Sequence, residues 1–329
     1  MAERATEGRP VTAVDIHAHY LGPDLPTSGG LAPHLVVDES GHGRIIRGGT
    51  VLREATSALW DVEERLRAMD RAGVSHQVIS PVPVIMEHAW STDPAYARAV
   101  NDSIVAACAS SGGRLFGFGC LPTIGAASEV QRCRAMGLRG VEIGTRMGEH
   151  DLDAPELDPV WAACERTGAC VFVHPVAGGR GVVRRAGPVL DLGMGMLADT
   201  ALGASALVFG RVLERYPGLR VALAHGCGAF PWAYPRLRLG AELAGQGSPA
   251  TWDALVRRLY ADTVVLDPEH LRLLAHRFGV DRLLLGSDSP FLPGQHAVGL
   301  VDEAITSGAV PPAARADLLM HNAFEYLGL

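Results

Sequence analysis

Val14-Asp15-Ile16-His17-Ala18-His19-Tyr20 is the stretch whose reading decides the fold. Residues 12–16 read as a short buried β-strand of small and β-branched residues that runs directly into two histidines. Side chains alternate along a strand, so His17 and His19 face the same way, one pleat repeat apart. Two imidazoles at the end of a strand can share one ion, and imidazole suits zinc and its neighbours. A lone His-x-His is weak, so the reading turns on whether other strands end in ligands.

Outward from this stretch, short apolar segments alternate with amphipathic helices. Further strands are expected over residues 77–80, 115–120, 140–143, 170–174, 220–224, 263–266 and 282–285. Leu59, Val62, Leu66 and Met69 recur at helical spacing, with Asp61, Glu63 and Glu64 at the start and Gly73 past the end. Leu207, Val208, Val212 and Leu213 form a second stripe, and Leu271, Leu274, Ala275 and Phe278 a third. Eight strands with intervening helices predict an α/β fold, a (β/α)8 barrel. No Gly-x-Gly-x-x-Gly follows the first strand, which argues against a dinucleotide fold. Residues 22–57 interrupt the alternation and hold one expected hairpin, 35–37 with 45–46. An insertion after the first strand would lie over the barrel mouth as a lid. The expected organisation is a disordered tail over residues 1–10 and one domain over 11–329.

The 329 residues suffice for one large barrel, and 48% hydrophobic content supplies its core. The polar first ten residues lack the apolar segment of a secretory signal, and no uncharged apolar run of membrane-spanning length occurs. A net charge of −7 argues against nucleic-acid partners. A cytoplasmic enzyme is expected, its six scattered cysteines reduced. All 29 basic residues are arginine. Without lysine, Schiff-base chemistry, a Walker lysine and a carbamylated-lysine bridge between two metals are all excluded.

Four expected strands end in residues with ligand chemistry: His17 and His19, then His174-Pro175, then His225-Gly226, then Gly286-Ser287-Asp288-Ser289-Pro290. C-terminal strand ends converge on one mouth of a barrel, so these distant residues can meet around a single ion. One or two of them alone would read as ordinary buried histidines and a helix cap. As a set, with Arg53 before Trp60-Asp61 and with Arg236, they resemble the amidohydrolase superfamily in its metal-dependent non-oxidative decarboxylase branch. The resemblance runs from about Val14 to Tyr326.

The resemblance implies that His17, His19, His174 and Asp288 bind one divalent metal, zinc by analogy, with manganese equally suited to the donors and no organic cofactor. It implies His225 as the acid/base residue, with Asp288 also in the catalytic group. Arg53 and Arg236 match substrate-carboxylate arginines, Arg236 reaching the neighbouring active site of a homodimer. The implied activity is carbon dioxide release from a carboxylated muconate semialdehyde or related aromatic or enoate, using metal-bound water or hydroxide and His225. Phe291 is a candidate wall for a flat substrate, and Trp90, with Glu87 and His88, a candidate for the mouth. His76, His150, His270, His276 and His296 read as solvated. After His174-Pro175 the sequence departs from the branch, reading Val176-Ala177-Gly178-Gly179-Arg180, and Arg180, Arg184 and Arg185 read as solvent-facing. The competing readings are a lactonase or a hydratase of an oxo-diacid at the same site, and a barrel that keeps its metal without catalysis.

Overall fold

The first strand, β1 (Val14–Tyr20), continues through both histidines. It belongs to a computed structural model that describes residues 12–27, 30–91, 94–176, 187–292 and 296–329. The tail before residue 11 and Arg180, Arg184 and Arg185 lie outside these residues. An insertion follows with β2 (His34–Val37), β3 (Gly43–Arg47) and β4 (Thr50–Ala55). Next come β5 (His76–Pro81), β6 (Leu115–Gly119), β7 (Gly140–Gly144), a ribbon of β8 (Arg146–Met147) and β9 (His150–Asp151), and β10 (Cys170–His174). The last strands are β11 (Arg220–Leu223), β12 (Tyr260–Asp262) and β13 (Leu283–Leu284). Eight of them form one sheet in the order β1-β5-β6-β7-β10-β11-β12-β13, parallel at every pairing.

Main-chain bonds beyond β13 close the sheet. Ile16 N–H donates to Leu285 O, Asp288 N–H to His17 O and His19 N–H to Ser289 O, each at 2.8 Å. The result is the expected (β/α)8 barrel.

A bulge in β1 aims the histidines. Asp15 pairs with Gln77 but Ala18 with Ile79, so β1 holds one residue more than β5 between these points. Val14 and Ile16 pack with Val78, Phe118, Phe172, Ala222 and Leu284 in the barrel interior. Strict alternation would then turn His17 outward. The extra residue resets the phase, and both His17 and His19 join the interior.

The helices follow local rules where the sequence had marked them. The helix Val62–Arg71 starts on Asp61, whose carboxylate accepts from Glu64 N–H at 3.0 Å. The C-terminal helix Asn322–Leu327 closes the bottom of the barrel, with Tyr326 Oη donating to Val171 O at 2.7 Å.

Three expectations are corrected. The seventh barrel strand is β12, not residues 263–266: Leu266 is exposed at φ +62° and the chain has already turned. The stripe from Leu207 to Leu213 spans two helices, Met196–Phe209 and Val212–Arg215, because Arg211 sits at φ +60° between them. His76 is buried at the start of β5 rather than solvated. One stretch, Asp191–Phe209, has the length and hydropathy of a membrane span. Its Asp199 is buried on the barrel, accepting from Thr145 Oγ1 at 2.7 Å and Val176 N–H at 3.3 Å.

Candidate active site

His17 and His19 from the second half of β1, His174 at the end of β10 and Asp288 from the segment after β13 meet, all buried, with one ligand atom from each inside a 4.8 Å cluster. The rings of His17, His19 and His174 pack edge-on at 5.0–5.2 Å between centroids. Each Nδ1 already has a partner: His17 on Asp262 Oδ2 at 2.6 Å, His19 on Pro81 O at 3.0 Å and His174 on Pro175 O at 2.8 Å. A carbonyl can only accept, so His19 and His174 donate from Nδ1, which leaves each Nε2 turned toward the cluster. This outer ring of acceptors is how proteins orient imidazole ligands around an ion.

The residues fit a metal. His17 Nε2 and His174 Nε2 are buried without a hydrogen-bond partner among the described residues, which is costly unless a further group occupies the centre. Asp288 Oδ1 stands 3.5 Å from His17 Nε2 and 3.2 Å from His19 Nε2. Burial would raise the Asp288 carboxyl, but the His19 and His225 contacts outweigh it and hold the group well below the usual carboxylate range. Burial and the neighbouring imidazoles push His174 far down, so it is neutral, as a ligand must be. Burial would also lower His17, yet the bond to Asp262 and the charge of Asp288 lift it to about 9 in the metal-free chain.

His225 follows β11 in a strained turn. It has φ +55°, and Gly226, Cys227 and Gly228 are also at positive φ. A left-handed non-glycine residue costs on the order of 1–3 kcal/mol and persists only where its surroundings impose it. Here Gly226 N–H donates to Asp262 Oδ1 at 2.8 Å, and a Cβ at 226 would sit 2.4 Å from Val265 Cγ1. The turn points His225 Nε2 at Asp288 Oδ2, 3.8 Å away, outside the four-ligand group.

The insertion supplies Arg53 from β4. Its guanidinium lies 3.9 Å from the centre of the Phe291 ring and feels the charge of Asp288, and Phe291 in turn packs 5.5 Å from His19. Trp90, on the helix Pro83–Ser91, lines a cavity of about 400 Å3 with Arg47, His88, Gly144, Arg146 and Val176. Arg236 is not in the cluster. It is exposed on the helix Phe230–Leu243.

Sequence reasoning missed three supports of the site. Asp262 was lost because the seventh strand was placed past it; Tyr-Ala-Asp ahead of Thr263 was the available signal. Glu142 lies on β7 opposite Phe172 of β10, wholly buried, and burial raises it to about 7 against the opposing pull of His19 and Ser80. A third group ties β1 down from outside. Asp15 accepts from Gln77 Nε2 at 2.7 Å and Ser287 Oγ at 2.5 Å, and buried Arg65 donates to Gln77 Oε1 at 2.7 Å and to His19 O.

The chain is similar to known proteins over almost its whole length. It is 32% identical over 333 residues to the 2-amino-3-carboxymuconate-6-semialdehyde decarboxylase of Dictyostelium discoideum, covering 96% of this chain and 91% of that protein. To the enzyme of the same name from Caenorhabditis elegans it is 27% identical over 381 residues, covering 96% and 94%. The crystal structure of Metarhizium anisopliae IDCase in apo form superposes with a TM-score of 0.82 at 25% identity, covering 96% and 97%. The amidohydrolase family model matches residues 14–329, the span that contains every ligand above, and the chain belongs to that family.

Proposed function

We propose that the chain is a metal-dependent non-oxidative decarboxylase: a carbon–carbon lyase that releases carbon dioxide from a carboxylated muconate semialdehyde or a related carboxylated aromatic or enoate. The observation that carries this reading is Arg53 held on Phe291 beside His19 and Asp288. It sets a carboxylate-binding fork and a flat apolar wall next to the ligand cluster. Arginine suits that task because its planar guanidinium grips both oxygens and stays charged. The wall and the fork hold a conjugated acid in one orientation.

A bound ion would be held by His17, His19, His174 and Asp288 and would act as a Lewis acid that stabilises developing negative charge. Loss of carbon dioxide leaves the bonding electron pair on the substrate carbon. His225, at the rim of the cluster, delivers a proton to that carbon. Zinc is our first choice of ion from the three-imidazole, one-carboxylate set, with manganese as the alternative.

We further propose a homodimer in which Arg236 reaches the partner's site. Trp232, Arg236, Leu239 and Leu243 recur at helical spacing along Phe230–Leu243, and Trp232 and Leu243 are 82% and 81% exposed. An apolar stripe of this kind around one arginine is the expected form of an interface anchor. The six free cysteines favour a reducing, cytoplasmic setting.

The test is carbon dioxide release by metal-loaded protein from aminocarboxymuconate semialdehyde and a set of ortho-hydroxybenzoates. At least one should react, and His225→Asn should abolish turnover while keeping the metal. Hydrolysis or hydration without carbon dioxide would replace this reading by a lactonase or hydratase.

A further inference from the structure

His225 and Asp288 form the polar floor of a second cavity at the mouth, about 680 Å3 in volume. Its walls are apolar: Met196 and Leu197 from the helix Met196–Phe209, Val264 just past β12, and Leu273 and Leu274 from the helix Pro268–Phe278. Among the described residues, the other ionisable groups on it, Glu269 and His270, are exposed. A second acidic or hydroxyl group seated against these aliphatic side chains would lose hydration without gaining a hydrogen bond from them. An alkyl or aryl group would lose nothing and gain burial.

Building on the decarboxylase reading, we propose that this cavity receives an apolar substituent of the carboxylated substrate, so the enzyme prefers alkyl- or aryl-substituted acids over acids that carry a second polar group there. The floor decides the occupant: a group seated here is in contact with the proton-transfer residue, as part of a substrate must be. The rim residue Trp232 also belongs to the proposed dimer face, so a partner copy would close the open side of the cavity.

The experiment compares 2-hydroxybenzoate with its 4-, 5- and 6-propyl derivatives on the metal-loaded enzyme. Two quantities are read for each acid: kcat/KM from carbon dioxide release, and Kd by calorimetry. Each buried methylene is worth roughly fourfold, so the best propyl derivative should exceed the parent at least about tenfold in both. Gly193 lines the same cavity, and a Cβ there would meet nothing within 4 Å. Gly193→Phe should therefore fill the space and bring the propyl-to-parent ratio near one. Leu273→Gln, which makes the wall polar, should lower the same ratio and serves if the first variant does not fold. Turnover of the parent with no propyl derivative preferred would overturn the cavity assignment and leave the decarboxylase reading standing. Tight propyl binding that Gly193→Phe erases, with no carbon dioxide from any acid, would uphold the cavity and overturn the decarboxylase reading. An unchanged ratio in Gly193→Phe, with dimers turned into monomers, would assign the cavity to a second copy of the chain and overturn the proposal.

Discussion

Asp262→Asn keeps the shape of the side chain but replaces one acceptor oxygen with a donor nitrogen. Both carboxylate oxygens are committed: Oδ2 accepts from His17 Nδ1 at 2.6 Å, and Oδ1 from Gly226 N–H at 2.8 Å and Val264 N–H at 3.1 Å. Asparagine cannot serve both sides. With its oxygen toward His17, two buried N–H groups lose their acceptor at about 1–3 kcal/mol each. With its oxygen toward the backbone, the amide donor faces His17 Nδ1 and drives the imidazole proton to Nε2, the nitrogen an ion needs. The second arrangement costs less for the fold and more for the metal. Loss of such a support weakens metal binding by about 10–100-fold, or roughly 1.4–2.7 kcal/mol.

Competition with a chromophoric chelator at pH 7.5 measures that change. Calorimetry in buffers of different ionisation enthalpy adds an independent count. His17 is raised to about 9, so in the metal-free parent it is protonated below that pH and must release its proton when the ion binds. Without the Asp262 charge that contribution goes, and the variant should release fewer protons at pH 7.5. Parental affinity and proton release in Asp262→Asn, with an unchanged melting temperature of the metal-free protein, would refute the reasoning.

Further outcomes follow from the same geometry. Arg53→Ala should raise KM at least about tenfold, the size of a lost charge-assisted bond, while elemental analysis finds the metal content unchanged. Arg236→Ala should raise KM as strongly if the residue crosses to a partner's site; unchanged kinetics would remove it from the site. Glu142 is held protonated by burial, with its carboxyl raised from 4.5 to about 7. Its contribution to stability is full below about pH 4.5 and is lost as the pH rises through 7. Metal-free Glu142→Gln should therefore outlast the parent in urea at pH 8 by on the order of 3 kcal/mol, and the two should converge at pH 4. An equal gap at both pH values would contradict that account.

How much of this was legible in the sequence depended on the kind of signal. His17 and His19 were legible because strand alternation and the glycine-poor apolar run around them are local patterns. The bulge that actually turns both inward is set by pairing with β5, which no local pattern records. Asp262 went unseen because Thr263-Val264-Val265-Leu266 looks more like a strand than Tyr260-Ala261-Asp262 does, and pairing with β11 and β13 overrode that propensity. Glu142 was inside a correctly expected strand, but which face it took depended on barrel closure. The hairpin of the insertion was found as Leu35 opposite Ile45, whereas the third strand was hidden by the Gly48-Gly49 turn before it. The role of Arg65 could not be read locally, since its partners Gln77 and His19 come from two other elements.

The most direct measurement is metal content and carbon dioxide release on the same purified sample, before and after chelation and reloading. The account predicts one ion per chain, activity lost with the ion, and activity restored by zinc or manganese. Full carbon dioxide release from the metal-free chain, or failure of the reloaded chain to hold an ion, would contradict it.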